Sequence, residues 1–225
     1  MRYAAYLALA VPLLTSCGHY ADFTLPPPES TGPRGPFRWE ATSQPVMGPG
    51  DWDISDVLNP SIVRWQGHYL NLYSGYDGSA WHTGVAVSDD GVQWRERRKV
   101  LSDGAIAANG ATIVFHGEIL HWYETGAPLR LSLAKSSDGN TWTKLGEVFP
   151  AGPRGSFDER AAADPYVIER QGTLYMFYLG QDRAWRQRLG IARSSDGVHW
   201  EKLRANPVLE LGGPGAFDER GLGEP

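Results

Sequence analysis

Among the dipeptides that join a polar side chain to proline are Asn59-Pro60, Asp164-Pro165 and Glu224-Pro225. Two of them carry carboxylates. A pair of carboxylates converging on a partly enclosed space does acid–base chemistry, one giving its proton to a departing oxygen while the other tunes its pKa or orients a hydroxyl. An amide such as Asn59 neither takes up a proton usefully at neutral pH nor serves as a carboxylate nucleophile, so it binds through hydrogen bonds instead. An acidic residue beside proline is also an ordinary turn cap. Whether Asp164 and Glu224 are a site or two unrelated caps therefore depends on whether one architecture brings them together.

The spacing supplies that architecture. Asn59, followed by Gly67 and a run ending at Tyr73 (YLNLY), recurs as Asn109, Gly117 and a run ending at Tyr123 (ILHWY). It recurs again as Asp164, Gly172 and a run ending at Tyr178 (LYMFY). Each copy closes on a second signature, SDDGVQW at 88–94, SSDGNTW at 136–142 and SSDGVHW at 194–200, where Asp-Gly makes a tight turn and tryptophan opens the next strand. One further apolar run lies between the two signatures. Each unit is thus four short antiparallel strands, and units of this length read as blades of a β-propeller. The fold class is all-β, with about three blades present.

Inner strands of successive blades run the same way along a common axis, so Asn59, Asn109, Asp164 and Glu224 form a ring at one mouth of the channel. Residues that repeat in every unit serve the architecture: Tyr73, Tyr123 and Tyr178, and Trp94, Trp142 and Trp200. Residues that change from unit to unit at one mouth are the site candidates. Asp164 and Glu224 are the catalytic candidates. Asn59, Asn109, Trp52, Trp81 and Trp185 are candidates for binding substrate. A fourth unit opens in GPGAFDERGLGEP at 213–225, in register with GPRGSFDERAAADP at 152–165, and stops at Pro225. The expectation is a fragment of a longer protein, because open blade edges invite aggregation.

Composition agrees. Nine tryptophans, ten tyrosines, 27 glycines and 16 prolines suit many short strands and turns. The formal charge of −5 argues against a nucleic-acid partner, whose binding needs a basic surface. Residues 1–16 read as a secretory signal, with Arg2 before an apolar run too short to span a bilayer. Leu14-Thr15-Ser16-Cys17 resembles the bacterial lipobox, which makes Cys17 the lipidated residue. Residues 17–44 then form a flexible tether and 45–225 the partial propeller, on a protein held by lipid at the bacterial cell envelope. Because Cys17 is the only cysteine, no intrachain disulfide forms. His68, His82, His116, His121 and His199 show no zinc spacing and read as exposed strand-end residues; no metal or other cofactor is expected.

From about Pro45 onward, the blade pattern resembles the five-bladed β-propeller glycosidases of glycoside hydrolase families 43 and 32, the arabinanase, xylosidase and invertase group. The resemblance implies an aspartate of the first blade as base or nucleophile, an Asp-Pro of a middle blade as modulator or transition-state stabiliser, and a glutamate of the next as general acid. Asp164 with Pro165 matches the middle position and Glu224 the acid. The first position departs, because Asn59 stands there. Either Asp56 or Asp53 supplies the missing carboxylate, or phosphate is the nucleophile, or the propeller binds a plant or microbial oligosaccharide or polysaccharide without cleaving it. A weaker resemblance, of SSDGNTW to the Asp-box of sialidases, would need an arginine cluster drawn from Arg154, Arg160, Arg183, Arg186, Arg188 and Arg220.

Overall fold

The computed structural model describes residues 20–27, 35–36, 38 and 41–225. Among them every regular element is a strand. Residues 1–16, which read as a secretory signal, and Cys17 lie outside the described residues. In chain order come β1 (Tyr20–Ala21), β2 (Asp56–Trp65), β3 (His68–Tyr76), β4 (Trp81–Ser88), β5 (Arg95–Leu101), β6 (Ala107–Phe115), β7 (Glu118–Thr125), β8 (Arg130–Ser136) and β9 (Thr143–Phe149). They are followed by β10 (Ala161–Arg170), β11 (Thr173–Gln181), β12 (Gln187–Ser194) and β13 (Glu201–Leu203).

These strands make three sheets, β2-β3-β4-β5, β6-β7-β8-β9 and β10-β11-β12-β13, each antiparallel between neighbours. The expected unit of four strands is therefore present three times. The innermost strand of the second sheet, β6, lies against both β2 and β10, which sets the three inner strands side by side. Within what reads as tether, Tyr20–Ala21 pairs in parallel with Lys202 and Leu203 and makes the third sheet five-stranded.

Local chemistry explains each hairpin. The inner hairpins turn through Gln66-Gly67, His116-Gly117 and Gln171-Gly172, with both residues of each pair at positive φ. That is the type I′ geometry whose twist matches the strands it joins. The Asp-Gly signature builds a second turn: the Asp138 carboxylate accepts the Asn140 and Thr141 N–H groups at 2.7 Å, and Ser136 Oγ accepts the Gly139 N–H at 2.9 Å. Asp90 with Ser88 and Asp196 with Ser194 repeat these contacts.

Strands β3, β4 and β7 are buried along nearly their whole length. The second sheet lies between the other two, and in the first the Trp52 ring packs on Tyr73 and Gly84, so these strands lack the alternation of a one-sided sheet. Trp122, Tyr73, Tyr123, Tyr178 and Phe149 are the largest side chains fully enclosed. Burial corrects one expectation: His121 is 1% exposed and His82 7%, neither being an exposed strand-end residue. His121 sits mid-strand in β7, hydrogen-bonded through Nδ1 to Thr112 Oγ1 at 2.8 Å, and burial pushes its pKa down to about 3.

The loop before each inner strand is clasped by a buried ion pair in the first and third blades. Asp158 accepts from Tyr178 Oη at 3.1 Å and from Lys202 Nζ at 2.6 Å. Asp53 makes the corresponding contacts with Tyr73 and Arg97 in the first blade. The ring that precedes each aspartate covers two glycines: a Cβ on Gly75 would come within 2.4 Å of Trp52, and one on Gly180 within 2.2 Å of Phe157.

Candidate functional site

Three of the ring residues stand inside their strands, on β-bulges: Asn59 and Asp164 three residues in, and Asn109 two. Leu58 pairs with Ser74 and Ser61 with Leu72, which leaves Asn59 and Pro60 together opposite Tyr73. Asn109 and Gly110 likewise oppose Tyr123, and Asp164 and Pro165 oppose Tyr178. β2 and β10 are edge strands of their sheets, and on a bulge there proline's missing N–H costs no ladder bond. In the second blade a Cβ would meet the His121 ring and the Trp122 carbonyl at 2.4 Å, and glycine stands there instead.

Each bulge turns its first residue into the left-handed region: φ is 49° at Asn59, 49° at Asn109 and 45° at Asp164, and Glu224 shares it at 51°. Asparagine and aspartate tolerate this conformation better than most residues, whereas a glutamate there carries strain of order 1–2 kcal/mol. Glu224 belongs to no strand, yet its backbone matches the three bulges. The loop leading to it also matches: Ala216 N–H bonds Gly213 O at 3.0 Å as Ser156 N–H bonds Pro153 O, and Gly215 N–H bonds Glu219 as Gly155 N–H bonds Glu159.

All four side chains line one cavity of about 490 Å³, whose wall also includes Ser61, Thr112 and Tyr166. Inside it runs a chain of hydrogen bonds. Asn109 Nδ2 donates to Asp164 Oδ1 at 2.6 Å, the Glu224 N–H reaches Asp164 Oδ2 at 3.4 Å, and Asn59 Nδ2 reaches both Glu224 oxygens at 3.4 Å. Burial and then the Asp164 charge push the Glu224 pKa up, and the Asn59 amide opposes them. Glu224 is accordingly biased toward the protonated form a general acid requires.

Sequence reasoning missed a third carboxylate. Glu124, at the end of β7, is 3% exposed, and its Oε1 accepts the Asp164 N–H at 2.8 Å and Asn109 Nδ2 at 2.9 Å. Desolvation raises its pKa to about 8. A signal for it existed: the residue after each repeated tyrosine is Ser74, Glu124 and Leu179, which changes from blade to blade. Ser74 has the equivalent role in the preceding blade, accepting the Asn109 N–H at 2.8 Å.

Other candidates lie elsewhere. Asp56 is exposed outside the cavity lining and accepts a hydrogen bond from Ser55 Oγ. Asp53 is committed to its clasp. Trp52 packs 5.9 Å from the Tyr73 ring, under Lys99, as part of the blade. Trp81 starts β4 at 5.2 Å from the Tyr76 ring, and Trp185 is 61% exposed with the Arg160 guanidinium 3.3 Å from its centroid. Trp81 follows the β3–β4 loop and Trp185 lies within the β11–β12 loop, at the ends of the sheets where β2 and β10 begin. Arg183, Arg186 and Arg188 are paired with Glu159 and Asp182 in a separate hollow. Among the described residues, no cluster of three or more His, Cys, Asp or Glu side chains is arranged to hold a metal ion.

The family model for the glycosyl hydrolases family 32 N-terminal domain matches residues 54–210. An uncharacterized protein of Mycobacterium tuberculosis (strain ATCC 25618 / H37Rv) is 29% identical over 173 residues, covering 70% of this chain and 56% of the relative. A family 117 glycoside hydrolase from the marine bacterium Zobellia galactanivorans superposes with a TM-score of 0.62 at 20% identity, over 68% of this chain and 57% of that one. A structure from the family of mannoside phosphorylases numbered 130, described as containing glycoside hydrolases that target β-1,2 mannosidic linkages in Candida mannan, gives 0.54 at 21%, over 67% and 49%. The chain thus spans about half the length of these relatives.

Proposed function

The chain belongs to the family of the glycosyl hydrolases family 32 N-terminal domain, and from that premise we propose that the bulge-lined cavity binds a glycan and that Glu224 protonates its glycosidic oxygen. The observation that carries the reading is the convergence of three bulge residues and Glu224, all in the left-handed region, on one cavity, with a glutamate whose protonated form is favoured beside a second carboxylate. Asp164 is the neighbour that raises the Glu224 pKa and orients a sugar hydroxyl. Asn109 and Asn59 hold the two carboxyls and offer amide hydrogen bonds to the sugar. Trp81 and Trp185 supply aromatic faces beside the mouth.

Two routes supply the attacking group. Either Asp56, on the strand that carries Asn59, activates water, or phosphate attacks without a protein base. Turnover that depends on phosphate selects the second route, and turnover lost in Asp56→Asn selects the first. Asn59 favours a second reading, glycan binding without cleavage, because an amide occupies the position where a base or nucleophile would stand. We further propose that the protein is held at the bacterial envelope by a lipid on Cys17.

The test is a panel of aryl arabinosides, xylosides, mannosides and fructan oligomers, with and without phosphate, offered to the full-length protein. Wild type releases product and Glu224→Gln loses at least about 100-fold in kcat, the typical worth of a positioned acid. Wild-type turnover in Glu224→Gln would overturn the acid assignment. Binding without product release by wild type would establish the second reading.

A further inference from the structure

We propose that Glu124, which lies outside the cavity lining, is the positioning residue of the ring: it grips the Asp164 backbone and the Asn109 side chain together and so aims the Asp164 carboxylate into the cavity. The inference rests on the glycan-site reading for its functional meaning, but its geometry stands apart from it. One oxygen, Oε1, receives the Asp164 N–H at 2.8 Å and Asn109 Nδ2 at 2.9 Å, and the same Nδ2 reaches Asp164 Oδ1 at 2.6 Å. The backbone and the carboxylate of Asp164 are therefore tied to the blade before it through one buried side chain. An N–H on a bulge has no ladder partner, and left unpaired in a buried position it would cost about 1–3 kcal/mol.

The protonation state of Glu124 follows from its surroundings. From β10 it faces the Asp164 carboxylate, from β6 the neutral Asn109 amide, and across the sheet on β8 the apolar Leu131. Burial with one anion beside it keeps Glu124 neutral up to a pKa of about 8. A neutral Glu124 has a hydroxyl to give to Asp164 while its carbonyl oxygen accepts the two N–H groups. Glutamine has the same capacity, since its amide donates and its oxygen accepts. Once ionised, Glu124 places a second negative charge behind Asp164.

Two readouts test this. The first, independent of turnover, is ¹³C-carboxyl NMR of the full chain across pH 5–9.5. In wild type the Asp164 and Glu224 signals carry an inflection near pH 8, absent from Glu124→Gln. A glutamate serving only the fold would leave the cavity signals without that inflection, and its absence in wild type or its persistence in Glu124→Gln overturns the proposal. The second is turnover: Glu124→Ala lowers kcat roughly tenfold to a hundredfold with little change in KM, as expected for a misaimed group. Glu124→Gln stays within about threefold of wild type below pH 7. Equal kcat in wild type and Glu124→Ala also overturns it. If Glu124→Ala fails to fold, the NMR comparison of wild type with Glu124→Gln still decides. No turnover in wild type would count against the enzymatic reading alone, leaving the inflection to decide the role of Glu124.

Discussion

The Glu224 carboxyl owes its state to two neighbours that oppose each other. Burial and the Asp164 charge hold its proton on, and the Asn59 amide favours the ion. Removing the charge at Asp164 lowers the Glu224 pKa. Activity that needs the protonated acid is lost as pH rises through that pKa, so Asp164→Asn should move the alkaline limb of kcat to lower pH, read from a pH–rate profile. Asn59→Ala removes the opposing amide and should move the limb the other way. The stability linkage has the same sign: a carboxyl whose folded pKa is raised contributes stability that is complete below its unfolded pKa and lost as pH rises through the folded one. For Glu124 that window runs from about 4.5 to about 8, so thermal scans should show wild type losing stability there relative to Glu124→Gln. The sequence made Asp164 and Glu224 legible because they break a repeat. Glu124 breaks the same repeat one position beyond the tyrosine and passed unnoticed, because its partner Asp164 is 40 residues away and belongs to the next blade.

At the scale of elements, turns and strands were readable because their chemistry is local. Asp-Gly signatures, glycine-containing hairpins and apolar runs each act within a few residues. The bulge was not readable. It exists only in the pairing of two residues against one, Asn59 and Pro60 against Tyr73, and a pairing register is a relation between strands. The Trp52 assignment has the same origin: a tryptophan near a carboxylate suggests a sugar platform until Gly75 and Gly84 are seen to make room for it. Gly110→Ala should destabilise by about 1–3 kcal/mol, because the new methyl meets a buried ring and a backbone carbonyl at 2.4 Å. Lys202→Met should cost more, about 3–5 kcal/mol, by leaving the Asp158 carboxylate buried without its cation. Denaturant titration of both variants checks the order, and a Lys202→Met protein as stable as wild type would remove the clasp from the account.

Across the whole molecule, a sequence repeat became three sheets with their inner strands side by side, and this was legible because each copy keeps the same punctuation at changing spacing. The N-terminal contact was not: the proline-rich composition of residues 17–44 suggests a tether, yet Tyr20 and Ala21 pair with β13 and Arg193 lies 4.8 Å from the Phe23 ring. Pairing of β1 covers an edge that would otherwise be open to another strand. For the proposed anchor, Cys17→Ser should move the protein from the membrane fraction to the soluble fraction or leave it unprocessed, and unchanged fractionation and mobility would contradict lipidation. The central claim is that three bulge residues and Glu224, from successive units, make one glycan site. Its most direct test is a crystal structure of Glu224→Gln soaked with an oligosaccharide that the wild-type protein turns over or binds. The account predicts sugar in the cavity between Asn59, Asn109, Asp164 and position 224, with the glutamine amide within hydrogen-bond reach of a glycosidic oxygen. Sugar bound only in the arginine-lined hollow beside Tyr20, with the bulge cavity empty, would contradict it.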